Sequence, residues 1–367
     1  LYIVSPRERS LGLKTGLEIV DGVHILGVKT LNLQKTSTIE KGIGQILVEG
    51  QFEKAIKKHL SGIPFNLILY TTPPITFPRV IKYLKIQNPD AKTYLLLKDI
   101  FPQNAVDLGL MSKTGIKGVL YRYFRKKEKQ LYAYSDFIGC MSPANVEYVL
   151  EHNPEIAPDK VEVAPNSLEL VEYNETNREC IRKQYNLPIN LPIFIYGGNL
   201  GRPQGIPFLV ECLNVNSIRE DCHILVIGTG TELPRLKAWY NEKKPKSVTI
   251  MDGIPKDDYE KLVRACDVGL IFLDHRFTIP NYPSRLLSYL SSKMPVICAT
   301  DPNTDVGKIA EENGYGFWCE SNSASKFSSL LFNMVCSDRK LMGEKGYEFY
   351  KKNYLVDNTY NAIMSHV

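Results

Sequence analysis

The fold of the second half of the chain is decided by one stretch, Pro192-Ile-Phe-Ile-Tyr-Gly-Gly-Asn-Leu-Gly-Arg-Pro-Gln-Gly205. It begins with a short apolar run that does not alternate with polar residues, which is typical of a strand buried on both faces. A glycine-rich loop follows and leads into a helix pattern. A strand, a glycine-rich loop and a helix in this order predict one unit of a parallel α/β sheet.

The same order of elements recurs toward the C-terminus. Further strand-like runs are His223–Gly230, Ser247–Gly253, Asp267–Asp274, Met294–Asp301 and Gly314–Glu320. Helix patterns such as Asp257–Ala265 and Ser284–Ser292 separate them. Because strands alternate with helical crossovers, the second half is predicted to form a doubly wound parallel sheet.

The first half shows a similar but looser pattern. Its strand candidates are Val23–Val28, Phe65–Thr71, Lys92–Asp99, Asp136–Ser142 and Val161–Ala164, and its helix candidates are Ile39–Leu60 and Lys113–Tyr134. We predict an N-terminal domain over residues 1–170, a polar linker over 171–190 and a second domain over 191–345. Terminal helices over 346–367 are expected to pack back on the first domain. The chain opens on strand-like Tyr2–Pro6, and another strand before it is one expectation.

Composition limits the classes of protein to consider. The chain has 367 residues, 44% hydrophobic and 23% charged, which is typical of a globular protein with more than one domain. No apolar run approaches the ~18 residues of a membrane-spanning helix. The 8 cysteines and 6 histidines are scattered without CxxC or HExxH, so we expect reduced thiols in the cytoplasm and no metal site. The net charge of +5 is compatible with an anionic partner.

The loops that follow the strands carry the candidate binding residues, because ligands of parallel sheets bind at the carboxyl ends of strands. Gly198, Asn199 and Arg202 lie in the first loop, where close backbone approach and a positive charge suit an anion. Gly228 and Gly230 mark the second loop. The alternative for each glycine is a tight turn or close packing with no ligand. Neither loop has the GxGxxG or Walker A pattern, which argues against NAD and against a P-loop ATPase.

A third loop leads through Pro283 and Ser284 to Arg285 in the first turn of a predicted helix. A cation at the start of a helix is unfavourable unless an anion lies beside it. Arg285 is therefore predicted to lie beside a phosphate-bearing ligand.

Several of these segments together resemble the retaining GT-B-fold glycosyltransferases of family 4. They are Tyr196–Gly205, Leu225–Gly230, Met251–Pro255, Pro283–Leu290 and Met294–Ile297. The segment Lys98–Gly109 is similar to the Asp-hydrophobic-Trp-Pro motif of N-acetylfucosamine-type transferases of bacterial capsule and O-antigen synthesis. The resemblance implies an α/β GT-B fold, with two Rossmann-like doubly wound parallel-sheet domains facing a cleft.

The resemblance also implies a role for each matching residue. The donor is expected to be a nucleoside-diphosphate sugar, UDP-linked in the first instance, with no cofactor and no metal. Its diphosphate would lie against Gly198, Asn199, Arg202, Ser284 and Arg285, with Arg285 stabilising the departing charge. Gly230, Gly253 and Ile254 would flank the nucleobase, and Ser288 would lie at the ribose. Gly228 of the second loop is a further candidate for donor binding.

The chain departs from the family pattern at two pairs of positions. Asn199 and Gln204 stand where the family usually has Arg and Lys, and Pro280 and Ser288 stand where it has a Glu-x7-Glu motif. The leading hypothesis is a retaining sugar transferase, and a non-catalytic binding or assembly subunit of the same fold is its alternative. A second alternative is an NDP-sugar 2-epimerase. Its chemistry needs several carboxylates and a histidine, and only Asp274 and His275 are available in these loops.

On the acceptor side, Asp99 ends a predicted strand and is the candidate catalytic base or acceptor-orienting carboxylate. A structural cap or ion pair is the alternative for this residue. Thr72, Asn104 and Asn166 are further acceptor-binding candidates at strand ends or in adjoining loops.

The predicted helix Lys113–Tyr134 carries a basic stripe. On a helical wheel of ~100° per residue, Arg122, Arg125, Lys126 and Lys129 lie opposite Leu120, Phe124, Leu131 and Tyr134. The common interpretation is a core-facing helix with a solvated basic back. The alternative is a surface for an anionic cytoplasmic leaflet. With a lipid-pyrophosphate-linked saccharide as acceptor, the protein would lie peripherally on the inner face of the plasma membrane; no nucleic-acid partner is expected.

Overall fold

The computed structural model describes residues 1–33, 38–170 and 177–367. Its residues divide into two compact units. The first unit consists of Leu1–Cys140, Val149–Glu162 and Ile363–Val367, and the second of Met141–Tyr148 and Val163–Ala362. Residues 171–176 of the predicted linker lie outside the described residues. Both units combine helices with largely parallel sheets, which confirms the predicted α/β class.

The first unit contains two sheets. The elements in chain order are β1 (Tyr2–Glu8), β2 (Gly16–Val20), β3 (Val23–Thr30), α1 (Thr38–His59), β4 (Leu67–Thr71), α2 (Pro78–Gln87), β5 (Lys92–Leu97), α3 (Gln103–Asp107), α4 (Gly115–Ala133) and β6 (Phe137–Cys140). They are followed by α5 (Pro143–His152), which contributes residues to both units, and β7 (Val161–Val163). One sheet has the order β1-β3-β2, and the other has the order β4-β5-β6-β7.

Strand β2 is an addition that the sequence pattern did not predict. It pairs antiparallel with β3, and Val20 lies opposite Val23 across the two-residue turn Asp21-Gly22. Both turn residues have positive φ, 49° and 78°, as the tight turn of a hairpin requires. The Asp-Gly dipeptide was therefore an available sequence signal for this hairpin.

Helices α1, α2 and α4 lie next to one another in the first unit. Phe52 and Ile56 of α1 and Val80 of α2 pack in one buried cluster with Leu26 and Val28 of β3. The last residues of the chain also belong to this unit, where the His366 ring stacks on Phe137 with a centroid distance of 3.7 Å.

The second unit is built on one six-stranded sheet. Its elements are α6 (Arg178–Gln184), β8 (Ile193–Asn199), α7 (Ile206–Val215), β9 (His223–Thr229), α8 (Leu233–Lys243), β10 (Val248–Asp252), α9 (Lys256–Ala265), β11 (Val268–Phe272), α10 (Arg285–Ser291), β12 (Val296–Thr300), α11 (Val306–Glu312), β13 (Gly316–Glu320), α12 (Ala324–Cys336), α13 (Arg339–Asn353) and α14 (Val356–Met364). The strand order is β10-β9-β8-β11-β12-β13, and every pair is parallel. This confirms the doubly wound parallel sheet predicted for the second half.

The sheet is buried on both faces, as its apolar strands predict. In β8, Ile193 and Ile195 pack in one cluster, while Phe194 and Tyr196 pack in the cluster on the opposite face. All four side chains are fully buried. The strand order reverses between β8 and β11, and the carboxyl ends of strands on either side of such a point form the usual ligand crevice. We call the carboxyl ends of β8, β9, β10 and β11 the donor edge, after the donor-binding residues that the sequence predicts there.

Candidate functional site

The donor edge brings together loops that are distant in sequence. Gly198 in β8 lies opposite Gly228 in β9, and Gly228 lies opposite Asp252 in β10. Gly253 therefore follows at the same edge, where a Cβ on it would lie 2.8 Å from Cγ2 of Thr229. The first two predicted donor loops and the turn after β10 lie side by side as a result.

Arg285 lies at the centre of this arrangement. Its guanidinium carbon is 4.3 Å from the ring centroid of Tyr196, a cation–π contact. A Cβ on Gly198, which has a φ of 117°, would lie 3.6 Å from Nη2 of Arg285. The Nη1 atom of Arg285 is buried and has no hydrogen-bond partner among the described residues. Since a buried guanidinium N–H is costly to leave unpaired, this atom suits an anionic ligand.

Tyrosines that the sequence interpretation did not single out surround Arg285. The Tyr289 hydroxyl accepts a hydrogen bond from the Gly197 backbone N–H at 3.2 Å. A Cβ on Gly197 would lie 2.0 Å from the Tyr259 hydroxyl oxygen, so only glycine fits beneath that ring. Burial raises the pKa of Tyr259 to about 12, and the positive charge of Arg285 limits the rise. The tyrosines hold the β8 loop and the arginine in fixed positions.

Gly228 and Gly230 have packing roles in this structure. A Cβ on Gly228 would lie 1.8 Å from the carbonyl oxygen of Gly198, and one on Gly230 would lie 2.3 Å from that of Leu200. Neither contact leaves room for a side chain. Close packing without a ligand is therefore sufficient to explain why both positions are glycine.

We expect Gly228→Ala to destabilise the second unit by about 2 kcal/mol, because the new methyl group overpacks a backbone contact. Thermal or urea unfolding measures the change. Gly50→Ala is a matched control, because a Cβ on that helical glycine meets no atom within 4 Å. Equal stability of Gly228→Ala and the wild type would contradict the packing role.

The remaining residues of the first loop lie nearer the solvent. Arg202 is 59% exposed, and its Nε lies 3.9 Å from a carboxylate oxygen of Glu232. Asn199 is exposed as well. The Gln204 side chain accepts a hydrogen bond from the Gly201 N–H at 3.2 Å, so it closes the turn. Arg202 thus adds an exposed positive charge to the donor edge.

The other predicted donor residues lie at the start of α10 and after β10. Ser284 is exposed, while Ser288 lies one turn further along α10 and is half-buried. Ile254 follows β10 and is half-buried in the same way. The structure thus brings Ser284, Arg285 and Ser288 together at the start of one helix.

Asp274 and Arg276 form an additional charged pair at the end of β11. Two guanidinium nitrogens of Arg276 donate to the buried Asp274 carboxylate at 2.9 and 2.8 Å. Burial acts to raise the pKa of Asp274, but these hydrogen bonds lower it below its usual value. The backbone N–H of Asp274 also donates to the Pro203 carbonyl at 3.0 Å, which joins the β11 loop to the β8 loop.

The predicted acceptor residues Asp99 and Thr72 lie together in the first unit. Asp99 follows β5, and burial raises its pKa to about 6. The Thr72 hydroxyl is buried; it donates to the Asp99 carbonyl and accepts from the Lys98 N–H, both at 3.1 Å. The Thr72 hydroxyl therefore holds the backbone of Lys98 and Asp99 in position. Burial also lowers the pKa of Lys98 to about 8, which places a second titratable group at this strand end.

Asn104 and Asn166 lie in different units. Asn104 belongs to α3 in the first unit, and its buried side-chain oxygen has no hydrogen-bond partner among the described residues. Asn166 is half-buried and belongs to the second unit. Of the two, Asn104 has the polar atom that a ligand could satisfy.

The basic residues predicted on α4 differ in exposure. Arg125 is half-buried and donates to the His152 carbonyl at 2.9 Å and to Asn153 at 2.7 Å. Lys129 is 47% exposed and pairs with Glu155 at 2.9 Å. Arg122 and Lys126 are exposed. The face of α4 that was predicted to be apolar is only partly buried. Phe124 and Leu131 are buried there and Tyr134 is half-buried, but Leu120 is 46% exposed.

Two further findings concern the described residues as a whole. Within residues 1–33, 38–170 and 177–367, no group of three or more His, Cys, Asp or Glu side chains is placed to hold a metal ion. No helix in these ranges is both long and apolar enough to span a membrane.

The family model for glycosyl transferases group 1 matches residues 177–349. The chain is similar to the probable glycosyltransferase WbjE of Pseudomonas aeruginosa, with 22% identity over 339 residues that cover 87% of this chain and 78% of that protein. It is also similar to the putative colanic acid glycosyl transferase WcaI of Escherichia coli, with 22% identity covering 60% of this chain and 54% of that one. The matched family model contains the complete donor edge.

Solved structures show the same fold. Sucrose-phosphate synthase of Thermosynechococcus elongatus superimposes with a TM-score of 0.74 at 15% identity, covering 95% of this chain and 86% of that one. The lipopolysaccharide glycosyltransferase WaaG superimposes with a TM-score of 0.62 at 12% identity, covering 94% and 87%. With the parallel sheets described above, these similarities confirm the predicted GT-B fold. The chain is a glycosyltransferase of the GT-B fold, and its residues 177–349 match the model for glycosyl transferases group 1.

Proposed function

We propose that this glycosyltransferase moves a sugar, with retention of configuration, from a nucleoside-diphosphate sugar to a lipid-linked or oligosaccharide acceptor in bacterial surface polysaccharide synthesis. The transferred sugar is proposed to be an N-acetylated hexosamine or deoxyhexosamine. The resemblance of the sequence motifs to the retaining GT-B enzymes of family 4 supports this proposal.

One observation carries the donor part of the proposal. Arg285 has a buried, unpartnered Nη1 atom, and its Nη2 faces the backbone of Gly198. A diphosphate oxygen at this point would accept charge-assisted hydrogen bonds from the guanidinium and satisfy the orphaned donor. Arg202 could approach the same oxygens from the solvent side, since its side chain is exposed.

The nucleotide is proposed to be UDP. Anabaena HepE, which has the same fold, was solved in complex with UDP and with UDP-glucose, at TM-scores of 0.68 and 0.65. The half-buried Ile254 and the adjacent Gly253 offer an apolar surface with close backbone access, which suits a planar base.

The acceptor is proposed from the chemistry of Asp99 and the names of the relatives. WcaI is described as acting in colanic acid biosynthesis and Bacillus subtilis TuaC in teichuronic acid biosynthesis, and both products are polysaccharides. A carboxyl group with a pKa of about 6 is largely ionised near neutral pH and can still accept a proton. Asp99 would orient an acceptor hydroxyl, and Asn104 would supply a further polar contact.

The proposed chemistry breaks the bond between the anomeric carbon and the diphosphate and forms a bond to the acceptor oxygen. Negative charge develops on the departing diphosphate, and Arg285 stabilises it there. The hydroxyl proton of the acceptor is taken up as the new bond forms, either by the leaving phosphate or by Asp99. Arginine side chains supply the charge compensation in this scheme, and no cofactor is invoked.

Ser288 is proposed to contact the ribose with a single hydroxyl group. A carboxylate at this position could accept hydrogen bonds from both ribose hydroxyls. We therefore expect Ser288→Glu to bind UDP about 5- to 10-fold more tightly, which calorimetric titration measures. Ser291→Glu, in the last turn of the same helix, is the control. Unchanged or weaker binding by Ser288→Glu would contradict the proposed ribose contact.

Calorimetric titration with UDP-, GDP- and dTDP-sugars, followed by transfer assays with lipid-linked saccharides, tests the proposed function. We expect one nucleotide series to bind and the transferred sugar to keep its anomeric configuration by NMR. Binding without transfer or hydrolysis would favour a non-catalytic subunit. Inversion at the anomeric carbon would contradict the retaining mechanism, and an epimerised nucleotide sugar would favour the epimerase alternative.

A lipid-linked acceptor would place the enzyme at the inner face of the plasma membrane, as a peripheral protein. Arg122 and Lys126 of α4 are exposed and would contribute to such an association. Arg125 would contribute less, because its guanidinium is held inside its own unit.

A further inference from the structure

Strands β8 and β11 separate at the point where the strand order of the six-stranded sheet reverses. The last pair of their ladder is Gly269 opposite Ile195. Beyond this pair, β8 stays paired with β9 as far as Asn199, whereas β11 stays paired with β12 as far as Phe272. The two strands therefore diverge toward the donor edge, and the backbone groups between them need other hydrogen-bond partners.

The phenol of Tyr289 lies between the diverging strands. Its hydroxyl accepts a hydrogen bond from the Gly197 N–H of β8 at 3.2 Å. The same hydroxyl can donate to the Ile195 carbonyl of β8 at 3.2 Å or to the Leu270 carbonyl of β11 at 3.4 Å. The ring covers Gly269, where a Cβ would lie 2.2 Å from Cδ2 of Tyr289. The Tyr289 hydroxyl thus takes the place of ladder hydrogen bonds that β8 and β11 no longer make with each other.

Tyr289 and Arg285 connect α10 to consecutive residues of β8. They are four residues apart in α10, so their side chains leave the same face of the helix. The Tyr289 hydroxyl is bonded to the Gly197 N–H. One residue further along, a Cβ on Gly198 would lie 3.6 Å from Nη2 of Arg285. The hydrogen bond to Gly197 therefore fixes how the arginine faces the end of β8.

Tyr259 of α9 contacts the same hydroxyl and the same glycine. The hydroxyl groups of Tyr259 and Tyr289 are hydrogen-bonded, and a Cβ on Gly197 would lie 2.0 Å from the Tyr259 hydroxyl oxygen. Burial raises the pKa of Tyr289 well above its ordinary value, so its hydroxyl keeps the proton that it donates. Because Tyr289 is fully buried, loss of its hydroxyl would leave the Gly197 N–H without a partner.

We propose that the Tyr289 hydroxyl positions Arg285 and the Gly197–Gly198 backbone for the diphosphate, and thereby determines how tightly the nucleotide binds. Tyr289 is fully buried, so it acts through the arginine and the β8 backbone and not by touching the nucleotide. Nucleotide affinity then depends on a hydroxyl group that the nucleotide never contacts. Because the diphosphate is the ligand proposed above for Arg285, this role of Tyr289 rests on the proposed function.

Calorimetric titration of Tyr289→Phe with UDP and with uridine tests this role. The substitution keeps the ring over Gly269 but leaves the Gly197 N–H unpaired. We expect UDP affinity to fall about 10-fold, because Arg285 is no longer held against the diphosphate, while uridine affinity stays unchanged. Tyr315→Phe is the matched control. The Tyr315 hydroxyl is buried and has no hydrogen-bond partner in the part of the chain that the structure describes, so this variant should bind UDP as the wild type does.

A second variant tests the same role with a smaller disturbance of the core. Tyr259→Phe removes only the hydroxyl that is bonded to Tyr289, on a half-buried side chain. We expect it to lose about 3-fold in UDP affinity and to bind uridine as the wild type does. Thermal unfolding shows that each variant is folded.

A double-mutant cycle with Arg285→Met separates positioning from a general weakening of the fold. Since Tyr289 acts through Arg285, adding Tyr289→Phe to Arg285→Met should change UDP affinity by less than about 2-fold. An equal loss in both backgrounds, or wild-type UDP affinity in Tyr289→Phe, would overturn the role of Tyr289 and leave the proposed function intact. Absence of UDP binding by the wild type would overturn the proposed nucleotide and this role together.

Discussion

Replacement of Arg285 by methionine is expected to lower kcat/KM for sugar transfer by about 100- to 1,000-fold, the usual effect of removing one donor to a developing negative charge. The guanidinium is held over the Tyr196 ring at 4.3 Å and beside Gly198, so it needs little rearrangement to meet a diphosphate. Steady-state kinetics with the donor identified by titration measures the loss.

Arg285→Met should nevertheless fold normally without ligand. It loses a cation–π contact but also removes a buried guanidinium nitrogen that lacks a partner. Because these effects oppose each other, we expect the free energy of unfolding to change by less than about 1 kcal/mol.

Two controls bear on the role of Arg285. Arg285→Lys should recover only part of the activity, since an ammonium cannot make the forked contact. Arg276→Met removes an arginine that is bound to Asp274 and should have a smaller effect on activity. Full activity of Arg285→Met would contradict the role proposed for this residue.

The second large effect is expected at Asp99. Asp99→Asn should lower kcat by about 100-fold or more, because it removes the carboxylate that we propose orients the acceptor hydroxyl. In the wild type, activity should rise with pH through about 6, as burial raises the pKa of Asp99 to that value. Asp99→Asn should not show this rise of activity with pH.

Asp99→Asn should raise the stability of the folded protein although it lowers activity. The folded protein holds the proton of Asp99 more tightly than the unfolded chain does, so stability falls as pH rises from about 4 to about 6. Asp99→Asn removes this cost. We expect it to be more stable than the wild type by on the order of 2 kcal/mol at pH 7 and equally stable near pH 4.

Thermal unfolding at the two pH values, with kinetics in parallel, tests this combination. Asp90→Asn, an exposed acid in the loop before β5, is the control and should change neither property. A purely structural Asp99 predicts a less stable variant at neutral pH, and that result would contradict the acceptor-side role.

The sequence was sufficient for the second unit because its strands are short apolar runs that only a sheet buried on both faces can accommodate. Arg285 was predicted to contact an anion for a related reason, because a cation at a helix start conflicts with local electrostatics unless an anion compensates it. Both signals are local, so one sequence reveals them. The Asp21-Gly22 hairpin was local too, but the first strands were interpreted only as parallel elements.

Other features depended on tertiary contacts that no local pattern contains. Tyr259 lies on a helix with ordinary amphipathic spacing, and its contact with Gly197 appears only in three dimensions. Arg125 follows the basic stripe of α4 in sequence, yet His152 at the end of α5 and the following Asn153 supply acceptors that draw it inward.

The most direct test of the central claim compares UDP with uridine in calorimetric titrations of the wild type and Arg285→Met. If Arg285 contacts the diphosphate as we propose, the wild type should bind UDP far more tightly than uridine. Arg285→Met should lose most of that difference while binding uridine as before. Equal UDP affinity in the two proteins, or no UDP binding by the wild type, would contradict the assignment of the donor edge as the site of a uridine-diphosphate sugar.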